Sequence, residues 1–371
     1  MNKKLLFSLL FLFSLSIYQC GNDDSTTIID EPYTPTPTTP VEIDLTKVPY
    51  QKLSDYKLFE GELKEMKPSF GVHPYNLNSQ LFTDYASKQR FIWMPKNSSA
   101  EFVSADKVLQ FPQSTVLVKT FYYNNSTPSK KIIETRIMIK KGTGSDDTDE
   151  WIFANYIWNE EQTEAYLDMN GSYVDVSFIN EYNDNHNIRY RIPSETECLI
   201  CHKENEKAIP IGPKPYNMDI NYAYSSGAQN QMQYWIDNKL INDNFSRNYT
   251  KLVNWKDTSQ ATDERLRSYL EINCAHCHAE NKHCDYRPIR LGFLETISET
   301  NVGVCVTPQE SVGESISSII SPRNISKSAM HFRLNSSEDG IKMPLLGRSI
   351  VDKEAVALLE QYINSLETTC N

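Results

Sequence analysis

The chain has 371 residues, 39% of them hydrophobic, with 37 Lys+Arg against 48 Asp+Glu and a formal charge of −11. That acidic balance argues against nucleic acid as a partner, because phosphate backbones are held by basic surfaces. The length suffices for two or three domains, and 8 cysteines beside 7 histidines point to thiol and imidazole chemistry.

Met1-Asn2-Lys3-Lys4 and an apolar run from Leu5 to Ile17 open the chain. This pattern predicts a signal peptide over residues 1–19, too short to cross a membrane as a helix. Cys20 follows at once and predicts lipoprotein processing with Cys20 as the lipidated first residue, although Tyr18 and Gln19 stand where small residues are preferred. Loss of residues 1–19 removes Lys3 and Lys4, leaving 35 Lys+Arg against 48 Asp+Glu, a balance of −13. The expected location is outside the cytoplasm: the periplasm, the outer membrane or the cell surface, held by a lipid anchor. Residues 20–44 are rich in Thr, Pro and Asp. They bury little and predict a tether.

Residues 45–193 read as a β-rich domain. Thr115 to Phe121, Ile132 to Ile139 and Trp151 to Trp158 are dense in branched and aromatic residues, the composition of strands. Val174, Val176 and Phe178 alternate with polar residues, as do Ile188, Tyr190 and Ile192, which predicts half-buried antiparallel strands. The Asp-rich turn at 145–150 fits no EF-hand spacing and reads as a solvated loop.

From Pro193 the pattern changes to helix. Met232, Trp235, Ile236 and Leu240 share one face, as do Leu266, Tyr269 and Leu270. A last helix, opened by Asp352 as N-cap, brings Ala355, Val356, Leu359, Tyr362, Ile363 and Leu366 together. The expected fold class is therefore α+β and multidomain: a β-rich N-terminal domain, then a mostly α-helical region that, with Cys-x-x-Cys-His at 198–202 and again at 274–278, reads as cytochrome c-like. That region divides into 194–260 around a first cofactor motif and 261–371 around a second.

Those motifs are Cys198-Leu199-Ile200-Cys201-His202 and Cys274-Ala275-His276-Cys277-His278. Cys-x-x-Cys-His is the attachment signal of c-type haem. Two thiols add across the two vinyl groups of one porphyrin, and the following histidine becomes the proximal iron ligand. Two covalent haems are thus expected, with His202 and His278 as proximal ligands. Paired Cys-x-x-Cys units also build zinc sites, but about 70 residues lie between these two, against roughly 15–20 in a compact ribbon. A redox disulfide is the other competing reading, yet no thioredoxin-like βαβ pattern surrounds either motif.

Met343, in Lys342-Met343-Pro344 before the closing helix, is the expected distal ligand of the second haem. For the first, Met218 is preferred to Met232, which reads as packing, with His73, His186, His283 or an open iron as alternatives. His276 and His331 read as bystanders. In an exported protein Cys284 and Cys305 make a plausible disulfide across the loop over the second haem, which leaves Cys370 over.

The chain resembles a family of uncharacterised, predicted diheme c-type cytochromes of Gram-negative bacteria, often encoded beside a parallel-β-helix repeat protein. The resemblance spans about residues 60 to 366. It rests on Leu81-Phe82-Thr83-Asp84-Tyr85-Ala86-Ser87-Lys88, Trp158-Asn159-Glu160-Glu161-Gln162-Thr163, Pro210-Ile211-Gly212-Pro213-Lys214, Asn273 with the second haem motif, and Met343-Pro344-Leu345-Leu346-Gly347-Arg348-Ser349. It implies haem binding and electron transfer, and supplies no substrate and no role for the N-terminal motifs. The expected function is an exported electron carrier with a redox partner, for which the chain's acidic charge suits a basic surface. The alternatives are a diheme peroxidase with one open haem, or a carbohydrate- or partner-binding β module with attached redox haems.

Overall fold

The computed structural model describes residues 38–124, 130–142 and 150–370. The expected signal peptide, the lipidation at Cys20, most of the tether and most of the Asp-rich turn lie outside them. The tether's last residues do not act as a spacer. Val41 is buried, and the Thr39 hydroxyl accepts the Trp93 indole N–H at 3.1 Å.

A short ribbon of Phe59–Glu60 (β1) and Lys67–Pro68 (β2) precedes a six-stranded antiparallel sheet. Its strands are Val72–Tyr75 (β3), Ser87–Trp93 (β4), Val116–Tyr123 (β5), Lys131–Lys141 (β6), Glu150–Trp158 (β7) and Ala165–Leu167 (β8), each paired with its neighbours in sequence. Because side chains alternate across a strand, the sheet has two distinct faces. Phe91, Trp93, Val116, Val118, Ile137 and Ile139 lie on one, covered by Leu53, Tyr56, Leu58 and Met66 of the preceding segment. Ile92, Leu117 and Met138 lie on the other, interleaved with Arg90, Lys119 and Arg136. A hairpin of Ser172–Ile179 (β9) and Asn185–Ile192 (β10) packs Val176, Phe178, Ile188 and Tyr190 against Phe121, Tyr123 and Ile133.

The expectation of a mostly helical, cytochrome c-like region after Pro193 is overturned. Strand takes about 26% of the described residues and helix, 3-10 turns included, about 21%, so the fold is sheet-rich. Seven short α-helices occur among the described residues: Glu195–Cys201 (α1), Pro215–Met218 (α2), Gln231–Asp237 (α3), Thr262–Asn273 (α4), Glu299–Val302 (α5), Ala329–Leu334 (α6) and Lys353–Ser365 (α7). Two further ribbons lie between α1 and α3: Lys203–Glu204 (β11) with Lys207–Ala208 (β12), and Asn221–Tyr224 (β13) with Gly227–Asn230 (β14).

The reason is length. The apolar face of α3 ends at Asp237, and Leu240 is reached only after Lys239 at a φ of 58°. Helices of one or two turns gain little by themselves and need outside packing. Here the sheet supplies it: Met218, Met232, Trp235 and Ile272 share one core with Ile92, Leu117 and Trp151. A second core joins α4 and α7 through Leu266, Tyr269, Leu270, Ala355, Leu359 and Ile363.

The expected Cys284–Cys305 disulfide is also corrected: Cys305 is bonded to Cys370. After α7 the chain returns beside α5, where the Thr368 hydroxyl donates to Glu299 Oε2 at 2.5 Å, and this delivers Cys370 to Cys305. Cys284 is free. Its N–H donates to the Cys277 carbonyl at 3.0 Å.

Candidate cofactor site

Both Cys-x-x-Cys-His segments fold as one helical turn. Ser194 caps α1: its hydroxyl accepts the Glu197 N–H while the Glu197 carboxylate accepts the Ser194 N–H at 3.0 Å, a reciprocal box. The turn closes with the His202 N–H on the Cys198 carbonyl at 2.8 Å. The second motif extends α4: Cys274 N–H donates to Leu270 O at 2.8 Å and His278 N–H to Cys274 O at 2.9 Å. Spacing of three residues on a helical turn puts the two thiols of each motif on one side.

Each motif opens on its own cavity. The first, about 1300 Å³ of atom-free space including its mouth, is lined by Cys198, Cys201 and His202 and by sheet residues including Leu117, Met138 and Phe153. The second, about 1290 Å³ on the same measure, is lined by Cys274, Cys277, His278, Met330 and Met343, with apolar walls from Leu266, Leu270, Leu291, Ile319 and Leu334. Cys201, Asn273, His276, Pro344 and Leu346 line both, so the cavities share a wall.

Within that wall Cys201, Cys277 and His276 bring their sulfur and ring-nitrogen atoms within 4.8 Å of one another. The Cys277 thiol also donates to the Ile200 carbonyl at 3.6 Å. His276, expected as a bystander, therefore stands at the junction, with its Nδ1 buried and without a hydrogen-bond partner among the described residues. The neighbouring Cys277 thiol holds Cys201 well below the ordinary thiol range, whereas burial pushes Cys198 up to about 11 and Cys274 up to about 12.

The two candidate proximal histidines are buried, and burial lowers each to about 4, so both are neutral at pH 7. That is the form a metal ligand needs. His202 Nδ1 lies 2.9 Å from the Ile209 carbonyl. A carbonyl only accepts, so Nδ1 carries the proton and Nε2 keeps its lone pair, the usual orientation of a ligating imidazole. His278 Nδ1 is buried and has no hydrogen-bond partner among the described residues. Two thiols and a neutral imidazole beside each large cavity fit a covalently attached porphyrin.

The loop that carries Met343 is held from two sides. Arg348, buried, donates Nη2 to the carbonyls of Leu334, Ser336 and Met343 at 3.1, 2.8 and 2.9 Å. Asp84 accepts the N–H groups of Ser349 and Ile350. The segment around Asp84 thereby gains a role: Phe82 N–H donates to Asn273 Oδ1 at 2.8 Å and the Tyr85 hydroxyl to Glu354 at 2.8 Å, so it clamps the elements around both cavities. Pro210, Ile211 and Pro213 line the first cavity. Gly212 has a φ of 105°, a conformation that favours glycine, and a Cβ there would meet Leu77 Cδ1 at 2.8 Å. Trp158 to Thr163 lines neither cavity. It forms a turn in which Asn159 Oδ1 accepts the Thr163 and Glu164 N–H groups.

Met218 is corrected as a distal ligand. It is fully buried in the core with Met232, Trp235 and Leu240 and lines neither cavity. Pro215 starts α2, and Met218 at its end shares a core with Ile92 and Leu117 of the sheet. His73 bonds the Tyr234 hydroxyl at 2.9 Å, His186 stacks on Tyr85 and Phe178, and His331 pairs with Glu360 at 2.8 Å; none lines a cavity. His283 lines the second. Sequence reasoning passed over Met330, Arg348 and the cations of the sheet, although Arg90, Lys119 and Arg136 each stand two positions from an apolar residue on the same strand face.

No family model, curated protein or solved structure matches the chain.

Proposed function

We propose that the chain is an exported diheme c-type cytochrome that carries electrons by outer-sphere transfer through two covalent haems, in line with its resemblance to predicted diheme cytochromes. The observation that carries this reading is the convergence of the two motifs: Cys277 reaches Ile200, 77 positions away, and each motif keeps a cavity of its own. Bound haem would supply a one-electron ferrous–ferric couple at each site. Cys198 and Cys201 would anchor one porphyrin and Cys274 and Cys277 the other, each S–H adding across a vinyl double bond with no leaving group. His202 and His278 would give proximal ligands. Met343 would give the distal ligand of the second site, on a loop fixed by Arg348 and Asp84. The second cavity has mostly apolar walls, and the shared wall brings the Cys201 and Cys277 sulfurs within 4.8 Å of each other. Cys20 would anchor the chain to a membrane, and its acidity suits a basic redox partner.

The test is maturation of the full chain with a c-haem assembly system. A mass increase of two haems and a haem stain that survives denaturing electrophoresis are expected, with Cys198→Ala and Cys274→Ala each removing one haem. A single haem, or none, overturns the reading. The cluster of Cys201, His276 and Cys277 favours one competing reading, a three-ligand zinc site with an open position. That reading leaves Cys198, His202, Cys274 and His278 without a role. It predicts bound zinc, no covalent mass increase, and metal content indifferent to Cys198→Ala.

A further inference from the structure

The sheet face that lines the first cavity carries a row of cations. In cross-strand register Arg90 stands opposite Lys119, and Lys119 opposite Arg136. All three line the cavity that holds Cys198, Cys201 and His202. Like charges directly opposed on neighbouring strands repel, and the repulsion grows where water is excluded. The described acidic residues offset only one of the three. Arg136 binds Glu134 through Nε at 2.9 Å and Nη2 at 2.5 Å, and Glu134 also accepts the Tyr190 hydroxyl at 2.7 Å. Arg90 donates to a neutral amide, Asn76 Oδ1, at 2.7 Å. Lys119 lies 4.9 Å from the Phe121 ring and has no hydrogen-bond or ion-pair partner among the described residues. Glu197, the one carboxylate among the described residues lining this cavity, is held by Arg191 and the Ser194 N–H. The row therefore has more positive charge than its surroundings neutralise, and it faces an open space.

We propose that Arg90, Lys119 and Arg136 form a carboxylate-binding row that receives the propionates of the haem attached at Cys198 and Cys201. The inference rests on the diheme reading. On a haem the vinyl groups and the two propionates leave from opposite edges of the ring. A chain that anchors one edge through α1 must meet the other edge with a different element, and β4, β5 and β6 present the cations. Burial and the neighbouring Arg90 pull Lys119 well below the ordinary lysine range, a state that a carboxylate partner reverses. Among the described residues the second cavity has no matching row: Arg287 and Arg333, which line it, are both paired with Glu310. The sheet is then half of the first haem site, not an appended binding module.

The test is a redox titration of the full two-haem chain beside Lys119→Met and Lys119→Arg. Lys119→Met is close in size and removes only a charge. A cation near an iron disfavours its ferric form, so Lys119→Met should lower the midpoint potential of the first haem and leave the Met343-linked haem unchanged. Lys119→Arg should restore it. Loss of the first haem alone from Lys119→Met also supports the assignment. Two haems with both potentials unchanged overturn it and leave the diheme reading intact, whereas a wild-type chain without covalent haem overturns both. If millimolar acetate or phosphate shifts the wild-type potential and not that of Lys119→Met, the row takes a dissolved anion and the propionate assignment falls.

Discussion

Asp84 and Ser349 lie 265 positions apart, yet both carboxylate oxygens of Asp84 accept the Ser349 N–H, at 2.7 and 2.9 Å. Asp84 is buried at a φ of 46°, on the turn that leads into β4. The pair ties the sheet to the loop that carries Met343, so the position of a candidate iron ligand depends on a residue of the β-rich half. Asp84→Ala removes an acceptor shared by two N–H groups, each such charged bond being worth about 1.5–3 kcal/mol. The expected outcome is a drop in stability of that order and, in the haem-loaded chain, partial loss of the weak far-red sulfur-to-iron band. An intact band with unchanged melting would dissolve the link.

Two methionines separate ligation from packing. Met343 lines the second cavity, and Met343→Ala should abolish the far-red band and lower that haem's potential, since Met/His ligation raises it. Met218 is fully buried in the sheet-facing core. Met218→Ala should cost about 2–5 kcal/mol by cavity formation and leave both haem spectra as they were. Absorption spectra and denaturant melts of the two variants decide. A spectral change in Met218→Ala would restore it as a ligand.

Cys305 and Cys370 close a loop with a sequence separation of 65. In the chain-entropy model such a link contributes about 4 kcal/mol. Peptide mapping without reduction should recover Cys305 joined to Cys370, with Cys284 free to alkylate once the chain is unfolded. A Cys284–Cys305 peptide would refute the observed pairing.

What was legible in sequence was local. The thiol spacing of Cys198 and Cys201 and of Cys274 and Cys277 is a one-turn property, and both motifs fold as single turns. The alternation at Val174, Val176 and Phe178 is a two-residue property, and β9 shows it. What was not legible depends on distant pairing. Nothing near Lys119 announces that Arg90 and Arg136 will stand on either side of it, because strand register is set by the whole sheet. Nothing near Cys201 announces Cys277. Helical periodicity misled for a related reason: the face of Met232, Trp235 and Ile236 is real, but a helix as short as α3 takes its stability from the sheet, whereas the faces of α4 and α7 pack on each other.

Asp352 offers a test through pH. Its Oδ1 accepts the Ala355 N–H at 3.1 Å and caps α7, and the side chain is fully buried. Burial pushes its carboxyl up to about 7, against about 3.9 in an unfolded chain. Between those values the folded chain holds a proton that the unfolded chain has released. The group's contribution to stability is therefore complete below about pH 4, declines as pH rises towards 7, and stays low above it. Asparagine keeps a side-chain oxygen for the cap and removes the titration. Asp352→Asn should match the wild type near pH 4 and exceed it at pH 8 by on the order of 2–4 kcal/mol. Denaturant melts at pH 4, 6 and 8 measure the difference, which should grow steadily across the series. A constant difference would mean that the carboxylate ionises in the fold without penalty, and a deficit at pH 8 would mean that a charged cap outweighs the cost of burying it.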